Sequence, residues 1–145
     1  APASDENLFV LVPAPSSAAL GAGDAYGEGA SASVQAIADA ALDQIAQWCD
    51  IPDLHERIVV RKTVGPADFA ARYHAWSGGA IGPAHTLRQS AFLRGRNASR
   101  KLENLYYAGA TTVPGVGVPM CLISAENVLK RLRGDRSSGP LPTDF

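Results

Sequence analysis

Apolar residues recur at three- and four-residue steps in two stretches of the chain. In the first, Val34, Ile37, Ala38, Ala41, Leu42, Ile45, Ala46 and Cys49 form one stripe, with Asp39, Asp43, Gln44 and Gln47 on the other side. This spacing predicts an amphipathic helix, with Ser33 suited to its N-cap and Ile51-Pro52 to its end. In the second, Leu122, Ile123, Ala125, Val128, Leu129 and Leu132 predict a helix entered through Pro119, whose missing N–H costs nothing in a first turn. Lys130, Arg131 and Arg133 then occupy the last turn and Gly134 follows, a favourable C-terminal arrangement. A shorter helix is expected from Pro66 to Tyr73, with Phe69, Ala70 and Tyr73 on its inner face.

Other apolar runs are continuous, as in strands buried on both faces. Residues 8–12 (Leu-Phe-Val-Leu-Val) predict one such strand, stopped by Pro13 and Pro15. Residues 58–64 are β-branched enough for a second, broken at Gly65-Pro66. Residues 105–108 predict a third, ending at Gly109, and residues 92–97 read as a strand end passing into a basic turn. The expected class is therefore α/β, or α+β within this length of chain. Residues 16–32, rich in Ser, Ala and Gly, read as a mobile surface loop, and residues 134–145 as a disordered, Pro-rich tail.

The stretch with candidate chemistry is residues 104–120, Asn-Leu-Tyr-Tyr-Ala-Gly-Ala-Thr-Thr-Val-Pro-Gly-Val-Gly-Val-Pro-Met. A strand, a loop carrying Pro114, Gly115 and Gly117, and a helix N-terminus together offer free backbone N–H groups with little side-chain bulk. That geometry suits an anionic or electron-rich ligand group, and equally an ordinary tight crossover. A second glycine-rich stretch, Gly21-Ala-Gly23-Asp-Ala-Tyr-Gly27, imitates a dinucleotide-binding loop but has the wrong spacing. It also starts eight positions after the strand, and no acidic residue ends a second strand some twenty residues on.

Composition adds mainly exclusions. The chain has 145 residues, 46% of them hydrophobic, and a formal net charge of −1. These values fit a globular domain and give no basic excess for nucleic acid. No apolar run approaches the ~20 residues needed to span a bilayer. Cys49 and Cys121 read as small core residues of a reducing, cytoplasmic compartment rather than redox or metal groups. His74 and His85, eleven apart with no third ligand, define no metal site, and neither has a carboxylate at a telling spacing that would make it a catalytic base. Arg94, Arg96, Arg100 and Lys101 form a positive cluster: a solvated surface, or a contact for an anionic lipid headgroup on the inner face of a membrane. The Asn97-Ala-Ser99 sequon is idle in a reducing setting.

Residues 104–119 closely resemble the C-terminal flavin motif of the bacterial phytoene desaturase (phytoene dehydrogenase) family, usually Asn-Leu-Tyr-x-x-Gly-Ala-Gly-Thr-His-Pro-Gly-x-Gly-Ile-Pro-Gly. The resemblance extends through residues 7–15, 68–73 and 86–97. In that family the dinucleotide-binding fingerprint lies several hundred residues earlier, so the resemblance implies the C-terminal portion of a larger FAD-dependent oxidoreductase. It implies that residues 1–100 belong to a sheet-plus-helix substrate domain. Residues 101–133 would be the closing strand, glycine loop and helix of a Rossmann-like FAD-binding domain.

The implied reaction removes hydrogen from an unactivated carbon chain: hydride passes to flavin N5 while a neighbouring proton is lost. The backbone of Gly117, Val118, Pro119 and Met120 would line the isoalloxazine or ribityl portion of FAD, and Gly109 and Ala110 would lie near the ribityl–pyrophosphate linkage. Gln89, Ser90 and Ala91 would approach flavin and substrate. No acid–base residue is nominated. Three departures, Thr111-Thr112-Val113 for Gly-Thr-His and Met120 for Gly, leave the substrate open. A carotenoid precursor is favoured over another polyisoprenoid or an amine oxidised by a related flavoprotein. Without the adenine and pyrophosphate half of the site, this length of chain is expected not to bind FAD by itself and to be inactive, and its exposed apolar faces to pair with a second copy.

Overall fold

The computed structural model describes residues 5–27 and 29–142. The first four residues of the expected polar entry, residue 28 of the expected loop and the last three residues of the tail lie outside them. The chain divides into two units, Ala1–Ala80 and Ile81–Phe145.

The first unit is built on three helices: α1 (Ala32–Cys49), the single turn α2 (Leu54–Arg57) and α3 (Pro66–Tyr73). α1 starts two residues earlier than its apolar stripe suggests. Ser31 is its N-cap, with Ser33 already inside the helix. The Ser31 hydroxyl accepts from the Val34 N–H at 3.4 Å and donates to the Leu20 carbonyl at 3.1 Å, so it satisfies one first-turn donor and ties the preceding segment to the helix. α3 opens at Pro66 as its sequence predicts. The buried Asp68 carboxylate reaches back to the Gly65 N–H at 2.8 Å and across to the Gly23 N–H at 2.7 Å. Two backbone donors thereby compensate a carboxylate taken out of water.

The glycine-rich stretch rejected as a nucleotide loop uses its glycines for close packing of the chain on itself. A Cβ at Gly23 would stand 2.0 Å from the Thr63 carbonyl oxygen. Beside it, Asp24 accepts from the Thr63 N–H at 2.7 Å and the Thr63 hydroxyl at 2.9 Å, and Ala25 donates to the Thr63 carbonyl at 3.0 Å. The Thr63 N–H first, its hydroxyl next and Lys62 more weakly hold the Asp24 carboxyl below its ordinary pKa. A carboxyl depressed in the folded state contributes stability above its unfolded pKa of about 3.9, and that contribution is lost as pH falls through the folded value. The Thr63 amide resonance is accordingly expected to titrate with a midpoint below about 3.9, and Asp24→Asn to abolish the titration.

In the second unit, two single 3₁₀ turns (Leu87–Gln89 and Ala91–Leu93) lead to irregular chain and then to α4 (Val118–Arg133). Gly117 stands at its N-cap and Val118 and Pro119 in its first turn. Gly134 ends it in the left-handed region, its N–H bonded to the Arg131 carbonyl at 3.2 Å. Beyond Gly134 the chain returns along α4: Glu126 accepts from the Leu141 N–H at 2.6 Å, and Lys130 donates to the Gly139 carbonyl.

The regular structure is almost wholly helical, which corrects the α/β expectation for this length of chain. Among the described residues pairing is confined to two isolated bridges, Gly95 with Thr112 (parallel) and Ala98 with Tyr106 (antiparallel). Residues 8–12, 58–64 and 105–108 form no strand. A strand is stable only when its backbone N–H and C=O groups meet a neighbour's along its length; residues 105–107 meet residues 97–99 only at the Leu105 carbonyl and the Tyr107 N–H, and in residues 58–64 the Thr63 carbonyl meets the Ala25 N–H. Phe9 is 89% exposed and Val59 87%, the exposure of segments composed for a sheet interior but lacking the sheet.

The helices show the same deficit. Val34 and Leu42 are the only hydrophobic residues that count as buried among those described, Trp48 on α1 is exposed, and Cys49, expected in the core, is exposed as well. The chain has 11001 Å² of accessible surface. Two separate compact units of these lengths would show roughly 8,500 Å². The hydrophobic pattern thus calls for more protein than these residues supply.

Candidate functional site

The expected ligand-facing residues all lie in the second unit, and two polar clusters set their positions. The first is centred on Asn97, Thr112 and Ser124, which are almost completely buried. The Asn97 amide nitrogen lies 3.1 Å from the Tyr107 carbonyl and 3.3 Å from the Val113 carbonyl. It lies 3.3 Å from the Thr112 hydroxyl and 3.0 Å from the Ser124 hydroxyl. Two of these neighbours are carbonyls that can only accept, which fixes the orientation of the amide. Thr112 and Ser124 hydroxyls meet at 2.7 Å; Ser124 also accepts from the Gly109 N–H at 3.1 Å, and Thr112 donates to the Gly109 carbonyl at 3.0 Å. Every buried side-chain polar atom among the described residues has a partner. Gly109 is therefore held at both its N–H and its carbonyl, and the glycine loop is fastened to α4 through Ser124.

The second cluster is Arg94, 4% exposed. Its Nε donates to the Ala110 carbonyl at 2.7 Å, Nη1 to the Gln89 carbonyl at 3.2 Å and Nη2 to the Ile81 carbonyl at 3.0 Å. One rigid planar fork thus joins three separate pieces of chain, a geometry that suits guanidinium and not ammonium. It brings together two groups of residues to which the resemblance assigns roles, Gln89 with its neighbours and Ala110 with Gly109. Ser90 and Ala91 follow through their own turn: Ser90 donates to the Thr86 carbonyl at 2.8 Å, and the Ala91 carbonyl accepts from the Arg94 N–H at 3.1 Å.

In front of α4 the chain leaves room. A Cβ placed on Gly109, Gly115 or Gly117 would meet nothing within 4 Å. Gly117 has φ 108°, a conformation that side-chain-bearing residues rarely adopt, and it provides no capping side chain. The first-turn N–H groups of Val118 and Met120 therefore have no partner within the helix, and Val118 is 77% exposed at the tip. Open backbone and the positive end of a helix dipole fit a flat, electron-rich ring edge. Thr111, which departs from the family's glycine, turns its carbonyl toward Gly95; Met120 sits within the first turn.

Sequence reasoning passed over the residues that build this arrangement. In the sequence Asn97 stands out only at a strand end and in an idle sequon, Arg94 only in a strand end and a surface cluster, and Ser124 not at all. The signal for Asn97 and Thr112 was faint: polar residues beside stretches that look buried. His74 ends α3 in the first unit, and no group of three His, Cys, Asp or Glu residues able to hold a metal occurs among the described residues. No helix among them is long and apolar enough to cross a membrane.

Comparison with known proteins agrees with the motif. The chain is 44% identical over 136 residues to a carotenoid 3,4-desaturase of Haloarcula japonica, an alignment covering 93% of this chain and 25% of that protein. It is 34% identical over 139 residues to the 4,4'-diapophytoene desaturase (4,4'-diaponeurosporene-forming) of Staphylococcus aureus, covering 96% of this chain and 27% of the relative. The chain spans about a quarter of the length of these curated relatives. No family model and no solved structure matches it.

Proposed function

We propose, from its likeness to these desaturases, that the chain belongs to the phytoene desaturase family and is the flavin-facing C-terminal part of an FAD-dependent enzyme that desaturates a carotenoid precursor. The observation that carries the reading is the open space before α4. There, Gly117 leaves its backbone exposed and the helix N-terminus has no cap of its own. FAD, when bound, supplies the hydride acceptor; the part played by this chain is placement. Val118 and Met120 offer N–H groups, Pro119 offers surface, and the helix end adds about half a unit of positive charge toward an anionic ring edge. Gly109 and Ala110, held by Ser124 and Arg94, give the ligand a fixed floor. Gln89, Ser90 and Ala91, held by the same arginine, face the substrate side.

The absence of strands is consistent with this assignment. Residues 8–12, 58–64 and 105–108 take their places in sheets whose other strands belong to the rest of the enzyme, with residues 1–100 in its substrate domain and residues 101–133 closing its FAD domain. The exposed apolar residues are the surfaces that pack there, and in the chain by itself they pair with a second copy. The enzyme works in the cytoplasm, against the inner face of the membrane.

The test is a bulky side chain at the helix tip. Val118 is exposed, so Val118→Trp should leave the 145-residue chain folded as before while filling the space in front of α4. In the full-length protein, flavin content after purification is expected to drop at least tenfold, on the order of 1.4 kcal/mol of binding. Unchanged flavin content would remove the helix tip from the site. A full-length protein that purifies without flavin would remove the enzyme reading altogether.

A further inference from the structure

The second unit has a charge imbalance that the near-neutral total conceals. Residues 81–145 hold nine Lys and Arg against four Asp and Glu, whereas residues 1–80 hold four against ten. Part of the excess is gathered round one half-open cavity of about 720 Å³ bordered by Arg94, Arg96, Arg100 and Arg131, with Phe92 and Pro114 on its apolar wall. No carboxylate borders it. Arg96, Arg100 and Arg131 are exposed and have no carboxylate within ion-pair distance among the described residues. Of the acids described in this unit, Glu126 is taken by Lys130 and the Leu141 N–H and Asp135 by Ser137, while Glu103 is exposed and does not line the cavity. Arg94, almost wholly buried at the cavity edge, uses three of its five N–H groups on carbonyls, which leaves its full positive charge uncancelled by any anion.

We propose that this cavity binds a phosphate group carried on an apolar body. Four arginines lining one cavity with no carboxylate among its lining residues leave it positively charged, and an oxyanion is the group that would offset that charge, with the forked donors of the exposed Arg96, Arg100 and Arg131 suited to phosphate oxygens. The volume lies within the usual range for small-ligand sites and far exceeds a lone phosphate, so the apolar wall has something to cover. The bound group is either a phospholipid headgroup at a membrane surface or a soluble phosphate ester; both present the same chemistry. The cavity shares Val113 and Pro114 with the glycine loop and Arg94 with the floor assigned to FAD, so the test uses flavin-loaded protein, in which loss of flavin and loss of phosphate binding are read separately.

The experiment uses the full-length, flavin-loaded protein and its triple variant, Arg96→Gln, Arg100→Gln and Arg131→Gln, which spares the structural Arg94. A control variant, Arg57→Gln, Arg61→Gln and Lys62→Gln, removes the same charge from the first unit. Calorimetric titration with inorganic pyrophosphate and co-sedimentation with phosphatidylglycerol or phosphatidylcholine vesicles are compared. The cavity variant should bind at least tenfold more weakly, and the control variant within twofold of the parent. Binding to pyrophosphate in solution identifies a soluble ester; binding confined to phosphatidylglycerol vesicles identifies a headgroup. Absence of both, or equal loss in the two variants, overturns the proposal.

Discussion

Asn97→Asp is expected to cost the second unit about 3–5 kcal/mol at neutral pH, although the two side chains have the same shape. The asparagine amide nitrogen donates into a pocket containing the Tyr107 and Val113 carbonyls, which have no proton to give back. A carboxylate there would set a charged oxygen against two carbonyl oxygens, in a place that is 1% exposed. The pKa of the new acid must then rise, since only its protonated form can donate to either carbonyl. The sign of the pH dependence follows. The penalty is largest above the raised folded value and shrinks as pH falls toward the unfolded value of about 3.9, so the variant gains stability relative to the parent on acidification. Amide exchange at Tyr107, whose N–H bonds to the Asn97 carbonyl at 2.9 Å, reads the effect locally. A variant as well protected at neutral pH as the parent would show that the amide nitrogen does not face these carbonyls.

Arg94→Ala should have an effect of similar size, about 3–5 kcal/mol, for a different reason. It removes three charge-assisted hydrogen bonds together and strands the carbonyls of Ile81, Gln89 and Ala110. Arg94→Lys should recover little of this, because a single ammonium cannot span three acceptors disposed round a plane. Exchange protection at Val113, bonded to the Gly95 carbonyl at 2.8 Å, is the local readout for both variants. If lysine restored the parent value, the fork geometry would be irrelevant and charge alone would hold the three segments.

The parts of the fold legible in the sequence are those whose cause is local. α3 begins at Pro66 and α4 is bracketed by Pro119 and Gly134 because these residues act on their own neighbours' dihedrals. α1 was legible from its stripe, though its cap was misplaced by two residues: either serine could have served, and the contact of Ser31 with the Leu20 carbonyl lies outside any helix pattern. The strands were not recoverable in the same way. Val59 and Phe9 have the right composition for a sheet, but a strand is a relation between segments, and among the described residues no segment pairs along either of them.

The candidate site divides along the same line. Gly109, Gly117 and Pro119 were visible because open backbone needs particular residue types at particular positions. Asn97, Arg94 and Ser124 were not, since each acts on carbonyls or hydroxyls 5 to 27 residues away, and nothing in a residue's own surroundings records such a partner.

Ser124 lies six residues into α4 from Val118, about 9 Å along the axis at 1.5 Å per residue. Its hydroxyl is in contact with Asn97, Thr112 and the Gly109 N–H, and none of its surface meets water. Turning the helix by a single residue would swing that oxygen through about 100° and break every one of those contacts. The azimuth of α4 is therefore keyed well behind its tip, and the direction in which the Val118 and Met120 donors point is decided by a hydroxyl nearly two turns away from them.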